Sequence, residues 1–492
     1  MKPRESQSFS LRPLNQRSLV IGAIVVLAGA LTGLGFLIAP LLAWAFIGTI
    51  LVLVVVLAPA HIRVGVAVLA AAFSRLVVST GFFPEFLNFF HYPLALVAVL
   101  MAAAEATHRS SLARALEHGL LALLCVSLLS WMINGGQILR PFLDWLVFAE
   151  PFFIICTIVA MPPDPRTAKA LWRLALAIPL VQLPLAAYQA LSLGFGDHIQ
   201  GLFMGLGAGP HVAGAVALLG AMICAARAVS AFSPKARPIW LLGAALLFLV
   251  AVLADAKQVI IGFFPALLVM LLSLMRLRWT RVVVVLPALA VLILGSFSYY
   301  QPLRVVFDWV LISRGAYGKV QALSIIASRL SSGVGRWFFG LGPGNSVSRV
   351  ALMGLEAFVK PSSPVGLLGL RSALTTSDIR ILTSSSWLFS SSSVWSGVSS
   401  LLGLLGDLGL VGLGLYIWMC WRIWHRLKSP AGWQSCVARG VLLMCGLLSV
   451  MFSWLEEPGF TLPAALIVGL GLITEAAPDG TLREGDEGPS GS

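Results

Sequence analysis

This chain has little charge. Only 11% of its 492 residues are Asp, Glu, Lys or Arg, while 59% are hydrophobic. That leaves too little polar surface to cover a water-soluble core of this size, so a soluble globular protein is excluded. Cysteine is scarce as well: Cys125, Cys156, Cys224, Cys420, Cys436 and Cys445 all lie within or beside apolar runs. They read as small packing residues rather than a disulfide framework or a metal cluster. There is no Walker A loop, no HExxH, no Gly-x-Ser-x-Gly elbow and no His/Asp/Glu cluster at metal spacing. No metal, cofactor or nucleic-acid partner is therefore expected. An internal repeat, the mark of many secondary transporters, is also missing.

What is present is a succession of apolar windows of membrane-spanning length. They fall at about 19–38, 41–59, 64–80, 92–106, 119–133, 139–161, 174–193, 209–226, 239–254, 258–275, 282–299, 397–421, 437–455 and 460–474. This pattern predicts an all-α fold, a polytopic transmembrane bundle of about 12–14 spans. One long stretch, 300–396, is not apolar enough to span and reads as a large extracytoplasmic loop. The expected organisation is a cytoplasmic segment 1–18, a bundle 19–299, the loop 300–396, closing spans 397–474 and a disordered acidic tail 475–492. Pro40 leads directly from the first window into the second, so the first reads as a retained span and not a cleavable signal.

Orientation comes from the loops. Lys2, Arg4, Arg12, Arg17, Arg63, Arg109, Arg114, Arg166, Lys169 and Arg173 occupy alternate connections, and so do Arg227, Lys235, Arg237, Arg276, Arg278, Arg281, Arg422, Arg426, Lys428 and Arg439. The loops between them, 81–91, 134–137, 194–210 and 456–461, are free of Lys and Arg. The positive-inside rule then puts both termini in the cytoplasm and the 300–396 loop on the far side of the membrane.

Ionisable residues inside apolar spans are costly and mark function or internal pairing. Arg75 lies in one span. Arg140, Asp144 and Glu150 lie along another, where Arg140 and Asp144, four residues apart, could neutralise each other. Asp255 and Lys257 share a tight turn, and Asp407 sits within a glycine-rich span. The loop itself carries nine cations (Arg304, Arg314, Lys319, Arg329, Arg336, Arg349, Lys360, Arg371 and Arg380) against Asp308, Glu356 and Asp378. A cationic surface at headgroup level suits a phosphate- or diphosphate-bearing lipid, or anionic membrane lipid in general. The Gly340–Ser346 run suits a tight turn and lacks the Lys-Ser/Thr of a phosphate loop. Ser-rich stretches at 375–377, 384–386 and 390–393 read as a poorly ordered surface. His91, His198 and His211 read as structural.

The order of these features resembles the O-antigen ligase and O-antigen/exopolysaccharide polymerase superfamily of integral membrane glycosyltransferases. The segments carrying the resemblance are the Ala256-Lys257 turn, Gly201-Leu202-Phe203, Trp337-Phe338-Phe339-Gly340-Leu341-Gly342-Pro343-Gly344-Asn345 and Leu405-Gly406-Asp407-Leu408-Gly409. The family's His before the last of these has Ser393-Val394-Trp395-Ser396 in its place, and its Glu is replaced by Asp407, which favours a polymerase over a ligase. The resemblance implies a donor glycan on undecaprenyl diphosphate, with the diphosphate as leaving group. It implies substrate binding by Lys257, Arg314, Lys319, Arg336, Gly342 and Gly344, and a base for the acceptor hydroxyl at Asp407 or Glu150. Membrane lipids, a flippase and a chain-length regulator of the same pathway are the implied partners. A ligase and a transporter or flippase without chemistry remain the alternatives, the latter because intramembrane charges suit it equally.

Overall fold

The computed structural model describes residues 55–107 except 84, 110–205, 209–274 except 232, 309–353, 399–427 and 432–476, with residues 49 and 53 in isolation. Side chains are described from 319 onward in the fourth of these segments and up to 474 in the last. The expected spans at 19–38, 41–59 and 282–299, the serine-rich stretches and the acidic tail lie wholly or mostly outside the described residues.

Among the described residues every regular element is helical. In chain order they are α1 (Ala60–Ser79), α2 (His91–Glu105), α3 (Ser111–Asn134), α4 (Leu139–Ala160), α5 (Pro165–Leu193), α6 (Gly209–Ser230), α7 (Ala236–Leu253), α8 (Lys257–Leu274), α9 (Trp309–Leu330), α10 (Val334–Phe339), α11 (Ser400–Arg426), α12 (Trp433–Met451) and α13 (Pro458–Ala476). All of these belong to one unit, residues 60 onward, while residues 1–59 form another. Among the described residues ten helices are long and apolar enough to cross a membrane, and Pro458–Thr474 is a further, shorter apolar helix. The protein is an all-α polytopic membrane bundle.

Several helices begin earlier than their apolar windows, and capping explains why. Ser110 accepts the Ala113 N–H at 3.1 Å, so α3 starts eight residues before the run expected at 119. Asp164 accepts the N–H groups of Arg166 and Thr167, with Pro165 pre-set in the first turn, so α5 starts at 165 and not 174. A satisfied N-terminus nucleates a helix through polar turns that hydropathy does not register.

The bundle closes around α6 and α4. Nearly every residue of α6 is buried, because its Gly and Ala positions let neighbouring backbones come close without large side chains between them. α6 packs on α5 and α7; α4 packs on α2, α3 and α13; α13 also packs on α12. Arg63 and Glu105 tie α1 to α2 at 2.6 and 3.0 Å. At one end of the bundle α10 and the glycine-rich loop after it lie against α3 and α11, which positions the site.

Candidate functional site

α11 is broken. Gly409 has φ 68° and ψ −167°, far from helical, so Ser400–Arg426 is two helical segments with an open turn between them. Into that break fits the loop after α10. Gly340 has φ 80° and a side chain there would strike the Asp407 backbone; a side chain at Gly409 would strike Phe338 in return. Only glycine at both positions permits this approach. The Leu341 N–H then donates to the Gly406 carbonyl at 2.7 Å, satisfying a group the break has freed.

Asp407 fastens the loop. Its carboxylate accepts the Gly344 N–H at 3.0 Å and the Asn345 N–H at 3.1 Å, one on each oxygen. Gly342 and Gly344, at φ 102° and 69°, turn those amides toward it. Ser346 and Ser348 lie beside the carboxylate, with the Ser346 hydroxyl donating to the Gly403 carbonyl at 3.2 Å. From α3, Ser130 Oγ donates to the Asp407 carbonyl at 2.8 Å and Asn134 Nδ2 to the Gly340 carbonyl at 3.1 Å. Arg140 of α4 donates to Asn345 Oδ1 at 2.6 Å. The loop is thus held by two membrane helices and the broken ends of a third.

Arg140 does not pair with Asp144 as their spacing allowed. Its guanidinium points to Asn345, whereas Asp144 is fully buried and neither of its oxygens receives a hydrogen bond from a nitrogen or hydroxyl donor. The group within hydrogen-bonding reach of Asp144 is the Asp407 carboxyl.

A second group of charges adjoins the first. Arg349, just past the loop, donates to Glu457 Oε2 and to the Glu456 carbonyl at 2.6 and 2.7 Å, and its backbone N–H reaches Glu456 Oε2. Burial works against the guanidinium's charge, but Glu457, Tyr92 and Glu456 outweigh it and hold Arg349 above its usual range. Burial pushes the Glu456 carboxyl up to about 8, opposed by the Arg349 N–H. Ser400 fixes this corner: its Oγ accepts the Leu455 N–H at 3.0 Å. Glu150 faces His91 Nδ1 at 2.5 Å, both almost fully buried.

The expected cations fall into separate places. Arg336 is exposed on α10, with one guanidinium nitrogen on Ser332 Oγ at 2.6 Å. Lys319 donates to the Met451 carbonyl at 2.5 Å, capping the C-terminal end of α12, and burial pushes its ammonium down to about 8. Lys257 pairs with Asp255 at 2.6 Å in a turn where Asp255 has φ 52°. Burial raises the Asp255 carboxyl and Lys257 draws it back down. The Asp255–Lys257 turn has Asp197 and His211 as titratable neighbours. The side chain of Arg314, on α9, lies outside the described residues.

The sequence pointed to Asp407, Glu150 and the glycine run, but not to Arg349, Glu456 or Glu457 as one assembly. The signal for it was a pair of adjacent glutamates in a connection lacking Lys and Arg, opposite a loop rich in both. No protein-family model matches the chain, and a search of curated proteins finds no match.

Proposed function

We propose that the protein is a membrane glycosyltransferase that polymerises lipid-diphosphate-linked oligosaccharide units into a surface or secreted polysaccharide at the outer face of a bacterial inner membrane. The observation that carries this reading is the seating of the Gly340–Asn345 loop on Asp407 inside a broken membrane helix. A cationic insert that merely attracted lipid headgroups would have no reason to be built into the bundle. Here its described part, 309–353, belongs to the same unit as the spans.

The chemistry needs two things. Cations must bind the diphosphate more strongly as it leaves, which lowers the barrier directly. Arg336, exposed on the helix leading into the loop, is assigned that role; Lys257 is paired with Asp255 in a separate turn. A base must take the acceptor hydroxyl's proton. Asp407, with an N–H on each oxygen, acts as a positioning residue, which leaves Glu150 and its partner His91 as the acid–base pair. The donor is undecaprenyl-diphosphate-linked glycan, and both termini are cytoplasmic in this reading.

Deleting the protein tests it. Long polymer should vanish while single repeat units still assemble on the lipid carrier. A second reading, an ion-coupled transporter, is favoured by one observation: broken helices with buried carboxylates also mark ion pathways. Intact polymer with loss of solute uptake in the same deletion would support it instead.

A further inference from the structure

The buried charges do not balance. Asp144, Asp407, Glu456, Glu457 and Glu150 interact through an unbroken series of electrostatic contacts, with Arg140 and Arg349 the guanidiniums among them. Among the described residues five carboxyls face two guanidiniums, and His91, even if charged, leaves a negative excess there. A carboxylate in apolar surroundings takes up a proton rather than stay charged without a partner.

The partners show where a proton must sit. Arg349 holds Glu457 through an ion pair and Glu456 through its backbone N–H. His91 faces Glu150. Arg140, on α4, is directed at Asn345 and lies within electrostatic range of Asp407. Glu456, on the short helical turn before α13, is the further titratable carboxyl near both aspartates, and Ser346 and Ser348 lie beside Asp407 from the loop. Among the described residues Asp144 has no donor to either oxygen, and the Asp407 carboxyl is the group within its hydrogen-bonding reach. Two carboxyl groups can bond only through a hydrogen between them. Both Asp407 oxygens already accept backbone N–H groups, so the hydrogen belongs on Asp144.

We propose that Asp144 and Asp407 form a one-proton binding site and that this proton latches the Gly340–Asn345 loop onto the bundle. Asp144 carries the proton and donates it to Asp407, which stays ionised, accepts the Gly344 and Asn345 N–H groups and is balanced by Arg140. As the pH rises and Asp144 gives its proton to water, two carboxylates face each other with one guanidinium between them, and the latch opens. As the pH falls far enough to protonate Asp407 too, its oxygens become poorer acceptors and the latch weakens again. The loop is docked between those limits. This inference stands apart from glycan chemistry and would hold for a transporter as well.

The test uses the full-length protein in lipid nanodiscs, with Asp144→Asn and Asp144→Ala. Asparagine at 144 offers a permanent N–H to Asp407 and cannot titrate. Infrared difference spectra, taken in a Glu456→Gln background because Glu456 also holds a proton at neutral pH, should show a protonated-carboxyl C=O band that adding Asp144→Asn removes. Hydrogen exchange of the Gly344–Asn345 amides, corrected for intrinsic rate, should accelerate in the wild type at alkaline pH by about ten-fold or more, the worth of one charge-assisted hydrogen bond. Asp144→Asn should stay protected throughout, and Asp144→Ala should be unprotected at every pH. An infrared band untouched by Asp144→Asn overturns the proposal. So does an Asp144→Asn loop that exchanges as fast at neutral pH as the wild type does at alkaline pH, or protection that follows sodium concentration instead of pH. The spectra and the Asp144→Asn exchange decide the matter even if Asp144→Ala does not fold.

Discussion

Arg349 and Glu456 meet twice across 107 residues of chain: the Arg349 N–H donates to the Glu456 carboxyl, and the Arg349 guanidinium donates to the Glu456 carbonyl at 2.7 Å. The contact joins the end of the glycine-rich segment to the turn between α12 and α13. It also sets the protonation of Glu456, because an N–H on one oxygen only partly offsets the burial of the whole group.

Stability should therefore fall with rising pH through Glu456. Its folded value of about 8 stands above the ordinary 4.5, so between those values the folded protein keeps a proton that the unfolded chain has released. The contribution is fully present below the unfolded value and is lost as pH rises to the folded one, with a slope approaching 1.4 kcal/mol per unit, to order of magnitude. Thermal unfolding in detergent from about pH 5 to about pH 9 should show this decline, and Glu456→Gln should flatten it. An equal slope in Glu456→Gln would assign the effect to other groups.

Breaking the Arg349–Glu457 pair from either side should cost more than removing it whole. Arg349→Ala or Glu457→Ala leaves a buried charge without its partner, a loss of about 3–5 kcal/mol, whereas Arg349→Met with Glu457→Leu should recover much of it. A double-mutant cycle read by chemical denaturation measures the difference. Purely additive losses would mean the pair is not coupled.

Gly340→Ala should undock the loop. A Cβ there runs into the Asp407 backbone, at a φ of 80° that alanine rarely adopts. The strain alone is worth about 1–3 kcal/mol. Gly335→Ala, on α10, meets nothing within 4 Å and should be close to neutral. Protein abundance and polymer yield, measured side by side, check both; equal effects at the two glycines would remove the docking argument.

Much of the bundle was legible because twenty apolar residues in a row leave few alternatives to a membrane helix. The glycine run and Asp407 were legible separately, one as a turn and the other as a costly intramembrane charge. Their union was not. Gly344 and Asp407 are 63 residues apart, and nothing periodic in a glycine-rich span says that it breaks at Gly409 and not at Gly406 or Gly412. The partners of Arg140 were misjudged for a related reason. Spacing of i, i+4 puts it beside Asp144, but Asn345, from a loop folded back onto the helix, offers a nearer acceptor that local sequence cannot reveal. Lys319 reads from sequence as a ligand-binding cation, while its ammonium caps α12 through Met451, a carbonyl 132 residues away.

Arg336→Ala should lower polymer formation by about ten-fold or more while protein abundance stays at the wild-type level, the loss of one charge-assisted contact to phosphate. The residue is exposed and its contact is Ser332 on the neighbouring turn, so no core depends on it. Polymer loss that tracks abundance would make Arg336 structural.

Reconstitution tests the proposed reaction most directly. The purified protein in liposomes, given undecaprenyl-diphosphate-linked repeat units and no nucleotide sugar, should yield a ladder of longer lipid-linked glycans and release undecaprenyl diphosphate in step with each linkage. Donor that stays unchanged in the presence of folded protein, under conditions where the same vesicles take up a solute, would contradict a polymerase.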